Sequence, residues 1–462
     1  MSGLVLGIPP LIMNIVQKGL LERAFHDALF PSLLYRVEAQ YEPWPANTGT
    51  QMFMTRPGLL APITTPLVAG VDPVPQTVSY EQWEAVLDRY GGTIDTHIPT
   101  SAVGNADQFL RNIQQLGLQA GQSLNRLPRN ALFKSYLSGQ TVLMLATAAP
   151  DTAIRVASLN GFFDVVARGV NVRPLPVSPS SPLPITINGT ISRNVIGAYP
   201  DDATDPYGPG TLLLDAAVGA VVAARASVLS RYRPRVLRSG GGSSIDAIGA
   251  SDILTLQDCI NATNRLRDNN VLPHEDGYYH GHINTDGNSQ IFQDPAFQRL
   301  NTSLPDHVYY QRAFIGTIAG IAFFQNNESP NYNNSGARTT TGTNAAYSRD
   351  IGAETTNDAG INIGRVIVTG RGAIYEKGLD ESAYVTEAGI TGKQADFQVV
   401  NGGVEVQTER IRLILRAPLN RLQDQVAATW SITTCFPIPS DASSGGNERY
   451  KRAFVIEHAL DS

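Results

Sequence analysis

Three histidines and two acidic residues lie close together in VLPHEDGYYHGHINTD, the segment that spans residues 271–286. His280 and His282 are two positions apart, so on a β-strand their side chains would point to the same face. Two imidazoles at this spacing occur in metal sites, where a third protein ligand and an outer shell of hydrogen bonds complete the coordination. The third ligand would come from a residue just upstream, His274, Glu275 or Asp276. Such a site would make the chain a metal-dependent hydrolase or lyase.

The same segment also fits a structural role without a metal. Asp276 followed by Gly277 is typical of a turn, and the strand after it would present both histidines to solvent or to a neighbouring subunit. The sequence contains no P-loop, no G-x-S-x-G motif and no H-E-x-x-H motif. Because two histidines alone do not close a coordination shell, we predict no catalytic, cofactor-binding or metal-binding residues, and a protein that is not an enzyme.

Two further patterns contain charged or oxygen-bearing side chains. Arg231, Arg233 and Arg235 occupy alternate positions, which on a strand would form one basic face able to meet phosphate. Because this stripe is short and the chain is acidic, we favour a solvated or interface face instead. The run NTDGN at 284–288 resembles part of a calcium loop, but it lacks the downstream glutamate ligand.

The elements that position these residues begin with a long helix at 105–137. Apolar side chains recur there at steps of three and four, the spacing of one helix face, at Phe109, Ile113, Leu116, Ala120, Leu124, Leu127 and Ala131. Pro128 lacks a backbone donor, so we expect it to kink or end this helix. A broken amphipathic helix is expected at 14–36, interrupted at Pro31, and a further helix is expected after Thr255 as its cap.

Strand patterns account for much of the remaining chain. Asn188-Gly189 lies between alternating apolar residues, which is a strong short-range signal for a hairpin. The histidine segment is expected to continue as a strand, a turn at Asp286-Gly287 and a second strand to residue 296. The segment 78–90 has a mixed periodicity that fits either helix or strand. The C-terminal region offers three strands, RIRLILRA, VAATWSITTCF and RAFVIEHAL.

Residues 57–76, PGLLAPITTPLVAGVDPVPQ, stay apolar although five of them are proline. Prolines at this density block both a helix and a central strand. An exposed apolar loop of this kind would favour aggregation of a monomer. We therefore expect the loop to lie on another subunit.

The composition agrees with a subunit of an assembly. Only 16 % of the residues are charged, against roughly a quarter in ordinary domains, so few ions lose water when surface is buried. The net charge of −6 argues against coating nucleic acid, which needs a basic face. Cys259 and Cys435 form no paired motif, and the longest apolar runs are too short to span a bilayer. We expect a protein of a reducing compartment that has no membrane partner.

Several stretches, taken in their order along the chain, resemble the major capsid proteins of tailed bacteriophages with the Hong Kong 97-like fold. These stretches are TGTQMFMTRPG, YEQWEAVLDRYGGTIDTH, LPHEDGYYHGHIN, AFIGTIAGIAFFQNNESP and GRVIVTGRGAIYEKG. GPGTLLLDAAV is similar to the β insertion that some of these proteins carry. The resemblance implies an α+β fold with an N-terminal arm, an extended loop, a peripheral domain with a long spine helix, an axial domain and a small β-rich insertion.

The resemblance also implies domain boundaries, and it assigns 78–90 to a strand of the extended loop. The expected parts in chain order are the N-terminal arm at 1–48, the extended loop at 49–95, the peripheral domain with the spine helix at 96–149, the β-rich insertion and its linkers at 150–248, the axial domain at 249–405, and the return strands of the peripheral domain at 406–462.

The function that the resemblance implies is structural and non-catalytic. Copies of the chain would self-assemble as hexamers and pentamers into an icosahedral shell, the phage head, which encloses double-stranded DNA without sequence-specific binding. The shell would contact a portal protein and a decoration or cement protein, and it would be part of the virion after assembly in the host cytoplasm. A bacterial nanocompartment shell of the same fold, which stores an enzyme, is the second interpretation.

Overall fold

The structure is a computed structural model that describes residues 20–29, 34–45, 48–57, 62–67, 70, 72–78, 80–97, 108–166, 171–172, 174–242, 244–302, 316–326, 361–379, 391–394, 397–400, 403–408, 411–416, 425–439 and 452–460. The predicted helix break at Pro31 lies outside these residues, as do residues 1–19 of the expected N-terminal arm.

The described part of the chain has a mixed α and β architecture. Its α-helices are Leu20–Leu29 (α1), Gln108–Tyr136 (α2), Leu256–Asp268 (α3), Thr285–Gln293 (α4) and Pro295–Thr302 (α5). Its first strands are Gln40–Pro43 (β1), Gln51–Pro57 (β2), Tyr80–Val86 (β3), Asp88–His97 (β4), Gln140–Val142 (β5), Ala153–Val156 (β6), Asp164–Val166 (β7), Asn171–Val172 (β8), Pro174–Pro176 (β9), Leu183–Ile187 (β10), Ile191–Pro200 (β11), Gly210–Leu214 (β12), Ser227–Ser230 (β13) and Leu237–Arg238 (β14). The later strands are Tyr279–Ile283 (β15), Thr317–Ile318 (β16), Ile321–Gln325 (β17), Ile363–Thr369 (β18), Tyr375–Gly378 (β19), Thr391–Gln394 (β20), Phe397–Val400 (β21), Gly403–Thr408 (β22), Ile411–Arg416 (β23), Gln425–Cys435 (β24) and Ala453–Ala459 (β25).

The chain divides into two compact units, each made of segments that are distant in sequence. The first unit lies within Met1–Met52, Glu84–Arg129 and Ile374–Pro437. The second unit lies within Phe53–Trp83, Asn130–Ala373 and Ile438–Ser462. No helix in the described ranges is both long enough and apolar enough to cross a membrane.

The first unit is a sheet with helices packed on it. Sheet I contains eight strands in the order β1-β19-β24-β23-β22-β21-β20, with β4 paired to β24 along its whole length. The buried side chains that join α1 and α2 to β23 and β24 are Phe25, Leu29, Phe109, Ile113, Leu116, Ala120, Leu124, Ile411, Leu413, Leu415, Val426, Ala428, Trp430 and Ile432. The apolar stripe predicted from the sequence is therefore the face that α2 buries.

Helix α2 continues past Pro128, so the prediction that this proline ends the helix is wrong. A proline inside a helix removes one backbone hydrogen bond and costs about 3 kcal/mol. Leu124 before it and Leu132 and Phe133 after it are fully buried. Burial of side chains of this size stabilises by about 1.5–3 kcal/mol each, which offsets the cost of the proline.

The second unit contains two six-stranded sheets. Sheet II, the sheet of the predicted insertion, has the order β5-β13-β10-β11-β12-β6. The hairpin predicted at Asn188-Gly189 joins β10 to β11, and both turn residues have positive φ, at 51° and 70°. Two positive φ values are the conformation of a type I′ turn, which matches the twist of the strands that it joins.

Sheet III has the order β14-β25-β18-β15-β17-β16. Helix α3 begins where predicted, because two reciprocal hydrogen bonds cap its first turn. The Thr255 side chain accepts from the Asp258 backbone N–H, and the Asp258 carboxylate accepts from the Thr255 backbone N–H. The buried residues that join α3, α4 and α5 to this sheet include Leu254, Cys259, Leu266, Tyr279, Ile291, Phe297, Phe323, Val366, Phe454 and Ile456.

One strand prediction differs from this arrangement. The expected turn at Asp286-Gly287 and the strand after it are wrong, because these residues lie in α4. The Asn284 side chain accepts from Gly287 N at 2.7 Å and caps that helix, so the same residue types start a helix instead of a turn. The stretch 364–378 contains strands of both units, since β18 belongs to sheet III and β19 to sheet I.

The C-terminal strands of the chain belong to two sheets. β22, β23 and β24 lie in sheet I. β25 instead pairs with β18 over seven residues and with β14 at two positions, both in sheet III. The segment 406–462 therefore supplies strands to both units.

Candidate assembly surface and histidine cluster

The strands on either side of the proline-rich loop have their own packing. β2 and β3 are neighbours in a three-stranded sheet with β8, so the ambiguous segment 78–90 is strand, as the family resemblance implied. Met54 and Trp83 are buried in this hairpin, and the Arg56 guanidinium lies 5.9 Å from the centre of the Trp83 ring. A cation over an aromatic face is favourable. These contacts stabilise the base of the loop independently of its tip.

Between the two strands, the chain exposes an apolar segment, which we define as residues 62–67 and 72–77. Every residue of these two stretches is exposed, and Ile63, Leu67 and Val74 are 66 %, 72 % and 85 % exposed. Asp72 is the one charged residue among them. Covering an exposed aliphatic side chain of this size gains about 1.5–3 kcal/mol, so the apolar segment gains stability when another surface covers it.

The backbone of the apolar segment is suited to contacts through side chains and not to strand pairing. Four of its twelve residues are proline, at positions 62, 66, 73 and 75. Proline has no backbone N–H and therefore cannot donate to a sheet. The prolines also prevent strands of other chains from pairing with the backbone of the apolar segment, which is a common route to aggregation.

The structure stacks two of the three predicted histidine ligands on each other, and it packs His280 and His282 against the same Phe324 ring. The His274 and His280 rings stack with their centres 4.0 Å apart and 10° between their planes. His280 Nε2 lies 2.9 Å from Asp276 Oδ2, and His274 Nε2 lies 3.3 Å from Thr369 Oγ1. His282 is fully buried in sheet III and packs against Phe324, with the ring centres 5.7 Å apart.

The acidic residues beside the histidines also separate. Desolvation raises the pKa of Asp276, but the Tyr278 N–H and the His280 ring donate hydrogen bonds that outweigh it and lower the pKa overall. Glu275 is 87 % exposed at its side chain and forms an ion pair with Arg371 at 3.4 Å. His280 and Asp276 thus form a local pair that holds the loop before β15, while His282 packs in the core and Glu275 points to a surface arginine.

The other charged patterns have local structural explanations. The strand that carries Arg231, Arg233 and Arg235 was predicted wrongly, because β13 ends at Ser230 and the arginines follow in irregular structure. Arg233 Nη1 donates to the carbonyl of Ser230 at 3.0 Å. In the NTDGN run, Asn284 caps α4 and Gly287 lies in its first turn, so this run forms a helix start and not an ion-binding loop.

A buried ionic group in sheet III was not predicted from the sequence. Glu457 on β25 is in register with Arg238 on one neighbouring strand and with Arg365 on the other. Arg238 Nε donates to Glu457 Oε2 at 2.9 Å, and Arg365 Nε donates to Oε1 at 3.1 Å. Burial raises the pKa of Glu457, but the two guanidiniums outweigh it, so the pKa stays below its ordinary value. Glu457 is 219 positions from Arg238 and 92 positions from Arg365 in the sequence, so only the strand order reveals this ionic group.

The solved structures similar to this chain are capsid structures of bacteriophages. Their similarity covers most of both chains at low sequence identity. The capsid of cyanophage Pam1 is 9 % identical, with 94 % of this chain and 92 % of that chain covered and a TM-score of 0.47. The capsid of cyanophage P-SCSP1u is 11 % identical, with 93 % of this chain and 88 % of that chain covered and a TM-score of 0.46. The capsid of Ralstonia phage GP4 is 11 % identical, with 92 % of this chain and 87 % of that chain covered and a TM-score of 0.46. No protein-family model matches the chain, and no curated protein sequence matches it.

Proposed function

We propose that this chain is the major capsid protein of a tailed bacteriophage, a structural subunit that self-assembles into the icosahedral shell around double-stranded DNA. The exposed apolar segment carries the proposal. A stretch with Ile63, Leu67 and Val74 open to solvent is a poor surface for an isolated subunit and a good one for a subunit that another copy covers. The resemblance of the quoted sequence stretches to Hong Kong 97-like capsid proteins supports the same reading.

We assign the parts of the proposed capsid fold to the described elements as follows. Residues 49–95 would be the extended loop, and α2, packed on sheet I, would be the spine helix of the peripheral domain. Sheet II would be the insertion. The axial domain would be built on sheet III, and it would include β25 because that strand pairs with β18. Residues 1–48 would be the N-terminal arm.

The proposed assembly consists of hexamers and pentamers of this one chain. A portal protein at one vertex and a decoration or cement protein on the outside are the further partners we propose. The chain would assemble in the host cytoplasm, remain in the virion, and carry no catalytic residue or cofactor. The burial of His282 in sheet III and the bond between His280 and Asp276 support a structural role for the histidines over a hydrolase site.

The size and content of the purified particle test this proposal. We expect closed icosahedral shells by electron microscopy, with nuclease-protected double-stranded DNA in particles taken from infected cells. Smaller shells that enclose a protein would indicate a nanocompartment instead. Stoichiometric zinc, iron or manganese with hydrolase activity in a monomeric protein would support the enzyme and contradict the proposal.

A further inference from the structure

A small cavity lies in the second unit, between sheet II and the chain that follows β14. Its lining residues are Gln140, Thr141, Val142, Ala157, Leu229, Arg238, Ser244 and Ile245. The room inside is about 20 Å³, which holds one water-sized species, since about 10–15 Å³ is the minimum for a water molecule. The cavity therefore has room for a single small ion or molecule.

The polar groups that line the cavity include several donors. The lining contains one guanidinium, one side-chain amide and two hydroxyls, and it contains no carboxylate. The Gln140 side chain is more than nine-tenths buried, and its Nε2 has no hydrogen-bond partner among the described residues. A buried N–H without an acceptor costs about 1–3 kcal/mol, so a ligand that accepts from it is favourable.

The other end of the Gln140 amide is fixed by an arginine. Arg238 Nη2 donates to Gln140 Oε1 at 2.9 Å, while Arg238 Nε is held by Glu457. A guanidinium bonded to the carbonyl oxygen of an amide polarises its N–H groups and strengthens their bonds to an acceptor. Arg238 is the one charged residue among the described residues that line the cavity, and a cation there attracts a negatively charged ligand.

We propose that this cavity binds a monoatomic anion of the size of chloride, which accepts from Gln140 Nε2 and is attracted by the Arg238 guanidinium. The ion links β5 of the insertion sheet to the segment around Ser244 that leads into sheet III. The site lies within one chain, so it does not depend on the proposed assembly. Sulfate and phosphate are too large for the cavity.

Thermal unfolding of the full-length chain tests the site. Chloride replaces gluconate at constant ionic strength, so general salt effects cancel. For the wild type we expect the unfolding temperature to rise by about 1–2 °C once chloride exceeds its Kd tenfold. Gln140→Met lacks the donor, and Gln140→Glu places a carboxylate oxygen beside Arg238, so both variants are expected to lose this chloride dependence. Gln140→Glu should also unfold at a higher temperature than Gln140→Met.

The control variant is Gln257→Met, which alters an exposed glutamine on α3 that bonds Asn261 at 3.1 Å. We expect it to keep the full chloride response. A direct readout is anomalous diffraction from crystals grown with bromide, where a peak beside Gln140 Nε2 is expected in the wild type only. Equal chloride responses in all variants, or a peak at this position without anomalous signal, would identify water in the cavity and overturn the proposal.

Discussion

At the scale of single residues, Glu457 is a buried charge in sheet III whose two ion pairs stabilise the folded chain. Its side chain is 1 % exposed and receives hydrogen bonds from two arginines on neighbouring strands. Removal of one partner from a buried ionic group leaves an uncompensated charge and costs about 3–5 kcal/mol. We predict that Glu457→Gln lowers the free energy of unfolding by this amount, measured by denaturant unfolding of unassembled subunits.

The matched control is Asp201→Asn, which removes one member of an exposed ion pair with Arg155 at 2.6 Å. Exposed pairs contribute little because water and salt screen them, so the change should be below about 1 kcal/mol. Equal effects of the two substitutions would contradict the buried ionic group.

The pH dependence of stability follows from the same residue. The folded-state pKa of Glu457 is below its ordinary value of 4.5, so the unfolded chain binds the proton more tightly. Stability therefore rises with pH across this window, is fully present above pH 4.5 and is lost as the pH falls through the folded pKa. The stability difference between wild type and Glu457→Gln should shrink below pH 4.5. If the stability difference between wild type and Glu457→Gln grew on acidification, the pKa of Glu457 would not be lowered in the folded state.

The two histidines of β15 differ in burial. His282 is fully buried, so His282→Ala leaves a cavity and is predicted to cost about 2–4 kcal/mol of unfolding free energy. The His280 side chain is 14 % exposed and pairs with a half-exposed Asp276, so His280→Ala should cost less than His282→Ala. Denaturant midpoints of both variants measure the contrast. A metal-dependent loss of stability in His280→Ala alone would instead favour a metal site.

At the scale of elements, the apolar segment between β2 and β3 is the contact surface that we propose. Ile63→Asp combined with Leu67→Asp puts two charges on the apolar segment, and a charge covered by another copy must lose its water. We predict that shells fail to form while the subunit unfolds at nearly its normal denaturant concentration, because both positions are exposed. Electron microscopy and denaturant unfolding measure the two effects.

The control for the loop is Ile63→Val with Leu67→Met, which keeps the segment apolar and should leave assembly intact. Normal shells from the double aspartate variant would show that the apolar segment is not an interface. A subunit that does not fold at all would show that the segment packs on its own chain.

Sequence patterns correctly predicted the elements that are fixed by residues close together in the sequence. The apolar stripe of α2, the Asn188-Gly189 turn and the cap at Thr255 each depend on residues within a few positions, and all three are present. The Asp286-Gly287 prediction failed because the turn and the helix start use the same residue types, and the Asn284 cap decides between them. Pro128 was misjudged because its cost is offset by buried neighbours.

Nonlocal features were beyond the reach of these patterns. The Asn125 side chain interrupts the polar–apolar pattern of α2, yet it is buried and accepts from Tyr35 N at 2.7 Å. The pairing of β25 with β14 places Arg238 beside Glu457 although they are 219 residues apart. Such contacts depend on the order of strands in a sheet, which hydrophobic periodicity does not encode. For the histidine cluster, the spacing placed His280 correctly on a strand but gave no sign that His282 is in the core.

At the scale of the whole molecule, the composition and the apolar segment lead to the same conclusion. A chain with 16 % charged residues has much surface that another copy covers at little cost in desolvated ions. Its net charge of −6 is also consistent with a container wall that does not grip DNA, since tight binding requires many cationic contacts. Both features are those that the proposed capsid subunit requires.

The most direct test is a cryo-electron microscopy map of the purified, assembled protein in which the apolar segment is located. We predict closed shells in which Ile63, Leu67 and Val74 are covered by an adjacent copy of the chain. A protein that stays monomeric at high concentration, or a shell in which these three side chains contact only their own chain or solvent, would contradict the proposed capsid function.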